Sequence, residues 1–178
     1  MEYVTIFTKG FKAYLKAVYL LVQRLKESGC EIIDNEVMFL KPEWCAIHYE
    51  KLVGGPFYKP TQRIFEDCPS QFFRVYGDVE VIKGIVGEET DSQKCSEGTI
   101  RYILGVGKGD NILHRSADSL EAKGDDDRFW NPETGFVAQF RRDPLARQEV
   151  ERRLNELYNE NVNEDRKSGS AGMPRPIS

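Results

Sequence analysis

Only two histidines, His48 and His114, occur in the 178 residues, and the four cysteines (Cys30, Cys45, Cys68, Cys95) form no CxxC pair. These scarcities argue against a zinc site. The cysteines are widely spaced, and residues 1–7 carry Glu2 with no lysine or arginine, so a secretory leader is not expected. Free thiols in a reducing, cytoplasmic setting follow. An excess of positive charge is missing too: 25 lysines and arginines face 29 aspartates and glutamates, for a net charge of -4. No global field then recruits nucleic acid or acidic membrane, and an anionic ligand needs a local basic site. No apolar run is long enough to cross a bilayer. The glycine-rich stretch Gly105-Val-Gly-Lys-Gly109 lacks the Lys-Ser/Thr pair and the spacing of a P-loop, which excludes that phosphate cradle.

What is present is ordinary globular composition, 40% hydrophobic and 30% charged. Residues 3–8 are β-branched and aromatic and read as a strand. Tyr14, Val18, Leu21 and Leu25 recur at helical spacing over residues 11–28, with Gly29 as a stop. A second strand is expected over 31–41, bent near Asp34-Asn35. Pro42 opens a helix to about residue 52. A third strand covers 70–76, and Asp78 caps the helix after it. Residues 87–98 read as a long polar loop, Ile103–Val106 and Ile112-Leu113 as apolar patches, and 118–123 as a short helix. This order argues for an α/β sandwich. The expected organisation is one domain over residues 1–135, an extension over 136–160 carrying a charged helix, and a disordered tail over 161–178. The helix shows only a thin apolar stripe, Val150, Leu154 and Leu157, which needs a partner surface.

The densest chemistry lies in Gly98-Thr-Ile-Arg101 and Asn111-Ile-Leu-His-Arg-Ser-Ala-Asp-Ser119. A neutral histidine is a nucleophile poised near physiological pH, and a phosphohistidine suits reversible transfer. Arginine forks phosphate oxygens. With these motifs, His48-Tyr49, Pro56-Phe57 and Lys9 in register, the chain resembles the nucleoside diphosphate kinases from Tyr3 to about Pro132. That family carries N-x-x-H-x-S-D-S around its active histidine; here one residue, Ala117, is extra.

The resemblance implies a ferredoxin-like βαββαβ fold (α+β), a four-stranded antiparallel sheet covered by helices. It implies that His114 takes the γ-phosphoryl of a nucleoside triphosphate and passes it to a diphosphate. The family glutamate that orients the imidazole falls near Asp126, within an acidic run that otherwise reads as a solvated turn. Ser116 would hydrogen-bond around the histidine and that carboxylate, and Tyr49 would support Lys9 and the nucleophile. Lys9 and Asn111 would hold ribose and phosphate oxygens, Phe57 would stack on the base, and Thr90 and Arg101 would bind phosphates. Mg²⁺ would ride on the nucleotide phosphates, with no protein-held metal. A homo-oligomer, hexamer or tetramer, is expected, with nucleoside di- and triphosphates as partners. His48 is assigned no chemistry. Taken singly, Tyr49 and Phe57 read as core aromatics, Lys9 as a surface lysine and Thr90 as a loop cap.

The chain departs from the family pattern at three places. Gly10-Phe-Lys12 replaces Pro-Asp-Gly, Gly84 stands where a phosphate-binding arginine is usual, and Ser92 and Glu97 replace loop prolines. Lys83, Lys108 or Arg115 would have to supply the missing charge, Arg115 foremost. A fold that keeps the pocket but transfers slowly is the alternative these departures motivate.

Overall fold

A computed structural model describes residues 1–107 and 111–168. Lys108 and the tail from residue 169, both named in the sequence expectations, lie outside them. Four strands, β1 (Glu2–Thr8), β2 (Glu31–Met38), β3 (Ser70–Gly77) and β4 (Leu113–Arg115), form one sheet in the order β2-β3-β1-β4. Each pairing is antiparallel. With α1 (Tyr14–Glu27) between β1 and β2, and α4 (Val79–Val86) and the short α5 (Ile100–Leu104) between β3 and β4, this is the ferredoxin-like βαββαβ arrangement. The expected bend in β2 is a register shift between Ile32 and Asp34.

Alternation along the strands divides the core by chemistry. Val4, Ile6, Phe73 and Val75 point into a largely aliphatic layer with Leu21, Leu25 and Ile82 of α1 and α4. Phe7 and Phe72 point the other way, into a layer rich in aromatics. That second layer is closed by α2 (Pro42–His48), α3 (Tyr58–Asp67) and α6 (Ser119–Trp130), and by α7 (Phe136–Arg141). The Asp78 carboxylate caps α4, accepting from the Glu80 and Val81 amides.

Three elements after β4 differ from the sequence expectation. The helix expected over 118–123 continues to Trp130 because Phe129 and Trp130 are buried and the Trp130 indole donates to Thr5 Oγ1 at 3.2 Å. Its acidic run and Gly124 obscure the period. The helix α7 is short but anchored by Phe136, Val137 and Phe140, which belong to the same cluster as Phe7. The final helix, α8 (Pro144–Ser168), runs past residue 160, so residues 161–168 are helical where disorder is expected. Its apolar stripe finds a partner in its own chain: Val150 is buried in the aromatic layer, Leu154 packs against it, and Arg153 Nε donates to the Asp67 carbonyl at 2.8 Å.

Candidate active site

The register of β4 against β1 pairs Ile6 with Arg115, Phe7 with His114 and Thr8 with Leu113. His114 therefore shares the aromatic face with Phe7, on whose ring it stacks at 4.5 Å. Leu113 and Arg115 face the aliphatic side. The residue before β4, Ile112, has φ of 72°. That left-handed conformation is costly for a β-branched side chain and marks a backbone held by its surroundings.

Two residues end α2 beside that ring. His48 Nε2 lies 3.2 Å from His114 Nε2, and the Tyr49 hydroxyl lies 3.4 Å from His114 Nδ1. From α6, Glu121 brings Oε1 to 3.8 Å from His114 Nε2 while its Oε2 accepts from the Ala117 amide. Burial, then His48 and the Lys9, Arg101 and Arg115 cations, holds the His114 pKa well below the ordinary histidine value. His48 is pushed down to about 3 by burial, then Arg128 and Lys9. Both imidazoles are neutral near pH 7, so His114 carries a lone pair.

The carboxylate that meets Ser116 is Asp125, not Asp126. Asp125 is 1% exposed and accepts from Ser116 Oγ at 2.9 Å and from Arg128 at 3.1 Å. Its Oδ1 is 3.5 Å from His48 Nδ1. Burial raises its pKa to about 7, against the Ser116 hydrogen bond. Asp126 instead makes a two-pronged bond to Arg74, at 2.7 and 2.9 Å. Adjacent helical positions point about 100° apart, so the two carboxylates reach different partners along the sheet, and the one-residue insertion at Ala117 does not settle which of them meets Ser116.

The two arginines expected near phosphate are both engaged by backbone carbonyls. Arg115 sits on the opposite sheet face from His114 and donates to the carbonyls of Gly87, Glu88 and Ser116. It cannot replace the family arginine, because neighbouring strand residues project to opposite faces. Arg101 is also buried, donating to the carbonyls of Leu113, Gly87 and Glu89. Burial, then Arg115, lowers its pKa to about 10. Together the two guanidinia brace the start of the 87–98 loop. The third candidate, Lys83, pairs with Glu80 at 3.5 Å.

The Lys9 amide donates to the Ile112 carbonyl at 2.8 Å, tying the end of β1 to the residue before β4. Asn111 is buried; its Nδ2 donates to the Thr90 carbonyl at 3.2 Å, and its Oδ1 meets no hydrogen-bond partner among the described residues. Phe57 precedes α3 with 63% of its surface exposed.

The profile of the nucleoside diphosphate kinase family matches residues 15–134. The chain belongs to this family. The nucleoside diphosphate kinase of Staphylococcus carnosus is 28% identical over 132 residues, covering 73% of this chain and 87% of that protein. The Staphylococcus aureus one is 30% identical over 112 residues, 62% of this chain and 74% of that one. Among solved structures, the nucleoside diphosphate kinase of Encephalitozoon cuniculi superposes with a TM-score of 0.66 at 26% identity, covering 71% of this chain and 87% of its own. That of Halobacterium salinarum, in complex with CDP, shares the fold at a TM-score of 0.58 and 23% identity. It covers 66% of this chain and 78% of its own.

Sequence reading of this family member missed His48, Glu121 and Arg128. A signal for His48 was available: it lies four residues after Trp44 and three after Cys45, so it shares their buried helical face. Glu121 lies three residues after the α6 cap Asp118, whose carboxylate accepts from the Glu121 amide. That spacing returns its side chain toward β4. No helix among the described residues is long and apolar enough to cross a membrane.

Proposed function

We propose that this chain is an active nucleoside diphosphate kinase in which His114 accepts the γ-phosphoryl of a nucleoside triphosphate and then delivers it to a nucleoside diphosphate. The observation that carries the reading is the state of that ring: a neutral imidazole packed flat on Phe7, beside Lys9, Tyr49 and Glu121. Packing fixes the ring plane, and fixed orientation is most of what phosphoryl transfer asks of a protein. The nitrogen lone pair attacks phosphorus in line, the P–O bond to the leaving diphosphate breaks, and the second substrate reverses the step. Lys9 and Asn111 hold nucleotide oxygens, the exposed Phe57 ring offers a platform that any base can stack on, and Ser116 and Asp125 brace the end of β4. The family resemblance extends nucleotide binding to this chain, as in the CDP complex of the halophilic relative. Homo-oligomeric assembly is proposed on the same ground, and the exposed Tyr19 of α1 offers apolar surface for it.

Mg²⁺ fits this site as a passenger of the nucleotide. His114, Glu121 and Asp125 bring donor atoms within 4.8 Å of one another, but Asp125 is buried and engaged by Ser116 and Arg128. The phosphates and water would therefore hold the ion. When bound, it neutralises phosphate charge.

A second reading, a nucleotide-binding scaffold with weak transfer, is favoured by one observation: Arg101 and Arg115 are committed to backbone carbonyls. The deciding experiment is incubation with γ-labelled ATP followed by a nucleoside diphosphate chase. Acid-labile label that leaves on the chase and is absent from His114→Ala supports the kinase. Folded protein that binds ATP and takes no label supports the scaffold.

A further inference from the structure

The only two imidazoles of the chain touch through their Nε2 atoms. The hydrogen bonds around them form a line, Arg128 to His48 to His114 to Tyr49, whose direction can be worked out donor by donor. Arg128 NH1 lies 3.2 Å from His48 Nδ1. A guanidinium only donates, so this nitrogen of His48 must be the lone pair. Burial keeps His48 neutral, so its single ring proton is on Nε2. That N–H points at His114 Nε2, which must then accept. The neutral His114 ring is left with its proton on Nδ1, facing the Tyr49 hydroxyl at 3.4 Å. We infer that His48 is a positioning residue that sets the tautomer of His114, and that the Arg128–His48 contact holds His114 at rest with its proton on Nδ1 and its Nε2 lone pair covered.

A second setting is built into the same atoms. Asp125 Oδ1 lies 3.5 Å from His48 Nδ1 and only accepts when ionised. If His48 gives its Nδ1–H to Asp125 in place of receiving from Arg128, every bond in the line reverses. His48 Nε2 accepts from His114 Nε2–H, and the Nδ1 lone pair of His114 opens toward Tyr49. Each ring gives a proton to water from one nitrogen and takes one from water at the other, so neither charge changes. Arg128 and Asp125 thus compete for one nitrogen of His48, and the outcome is read two rings away. Glu121, at 3.8 Å from His114 Nε2, favours the second setting, but from beyond hydrogen-bond distance. The consequence for catalysis rests on the phosphorylation of His114 proposed above: Nε2 is shielded by His48 in both settings, so phosphorus must reach Nδ1, and only the second setting leaves it unprotonated.

The test is the two-bond proton–nitrogen correlation spectrum of the full chain labelled with ¹⁵N-histidine, near neutral pH. With two histidines, one substitution assigns both rings. The expected result is a protonated-type Nδ1 and a lone-pair-type Nε2 for His114 in the unaltered protein, interchanged in Arg128→Met. Arg128 is partly exposed, so this change keeps the fold in place. His48→Phe, which preserves an aromatic ring beside Phe7 and Phe129, should interchange them as well, with Glu121 the remaining acceptor. A His114 that carries its proton on Nε2 from the start, or that keeps one pattern in all three proteins, overturns the inference. Arg128→Met should also take up labelled phosphoryl several-fold faster; interchange without faster uptake overturns the link to catalysis. A protein that takes up no label at all sinks the kinase proposal and leaves the tautomer assignment standing.

Discussion

Replacing Asp125 with asparagine should make the protein more stable above neutral pH and change little near pH 4. The carboxyl is 1% exposed and faces Arg128 and Glu121 from its own helix, His48 from α2 and Ser116 after β4. Burial outweighs the Ser116 bond and Arg128, and the pKa rises from 3.8 to about 7. A raised carboxyl favours its protonated form in the folded state. Its contribution is therefore present below about pH 4 and is lost as pH climbs through the folded value. At about 1.4 kcal/mol per pH unit the loss is at most about 4 kcal/mol, and relaxation around the charge should leave about 1–2 kcal/mol. His48 runs the opposite way. Its pKa falls from 6.5 to about 3, so the unfolded chain binds the extra proton and stability rises with pH over that window. His114, also held well below the ordinary histidine value, adds a second rising slope, so Asp125 offsets only one of the two below pH 6.5. Asp125→Asn keeps the shape and an acceptor oxygen but removes the one falling slope, so its stability should climb more steeply than the parent's from about pH 4 to about pH 6.5. Urea unfolding of both proteins at about pH 4, about pH 6 and about pH 8 reads this directly. If the asparagine variant is the less stable one at about pH 8, the carboxylate is a stabilising partner of Arg128 and the reasoning fails.

Arg101→Met should destabilise by about 2–4 kcal/mol, because it strips donors from the buried Leu113 and Gly87 carbonyls; thermal melting of the variant checks it. Phe57→Ala should leave stability within about 0.5 kcal/mol, since the ring is mostly exposed, while raising KM for purine and pyrimidine substrates alike; equal KM values would remove the stacking role. Ending the chain at Asp143 should cost at least about 2 kcal/mol through the loss of the buried Val150, seen as a lower urea midpoint, whatever it does to assembly. Asp78→Ala should cost about 1 kcal/mol by uncapping α4, with labelling of His114 unchanged.

Local patterns in the chain were enough to locate most elements. Runs rich in β-branched and aromatic residues mark β1 and β3, the Tyr14-to-Leu25 spacing marks α1, and Asp78 marks the start of α4, because each signal is a preference, contact or cap made within a few residues. The motifs around His114 were equally legible, and they name the family. What residue order could not decide was direction in space. Asp125 and Asp126 are neighbours of the same chemical type, and only the docking of α6 on the sheet turns one toward Ser116 and the other toward Arg74. Arg115 adjoins His114 along the chain, yet the pleat of β4 sends it to the opposite face, into carbonyls of the loop it braces. His48 and His114 are 66 positions apart, and nothing local to either predicts that their rings meet. Caps and periods are set by short-range sterics and hydrogen bonding. Which side chains share a site is set by sheet register and helix packing, which arise only when the whole chain folds.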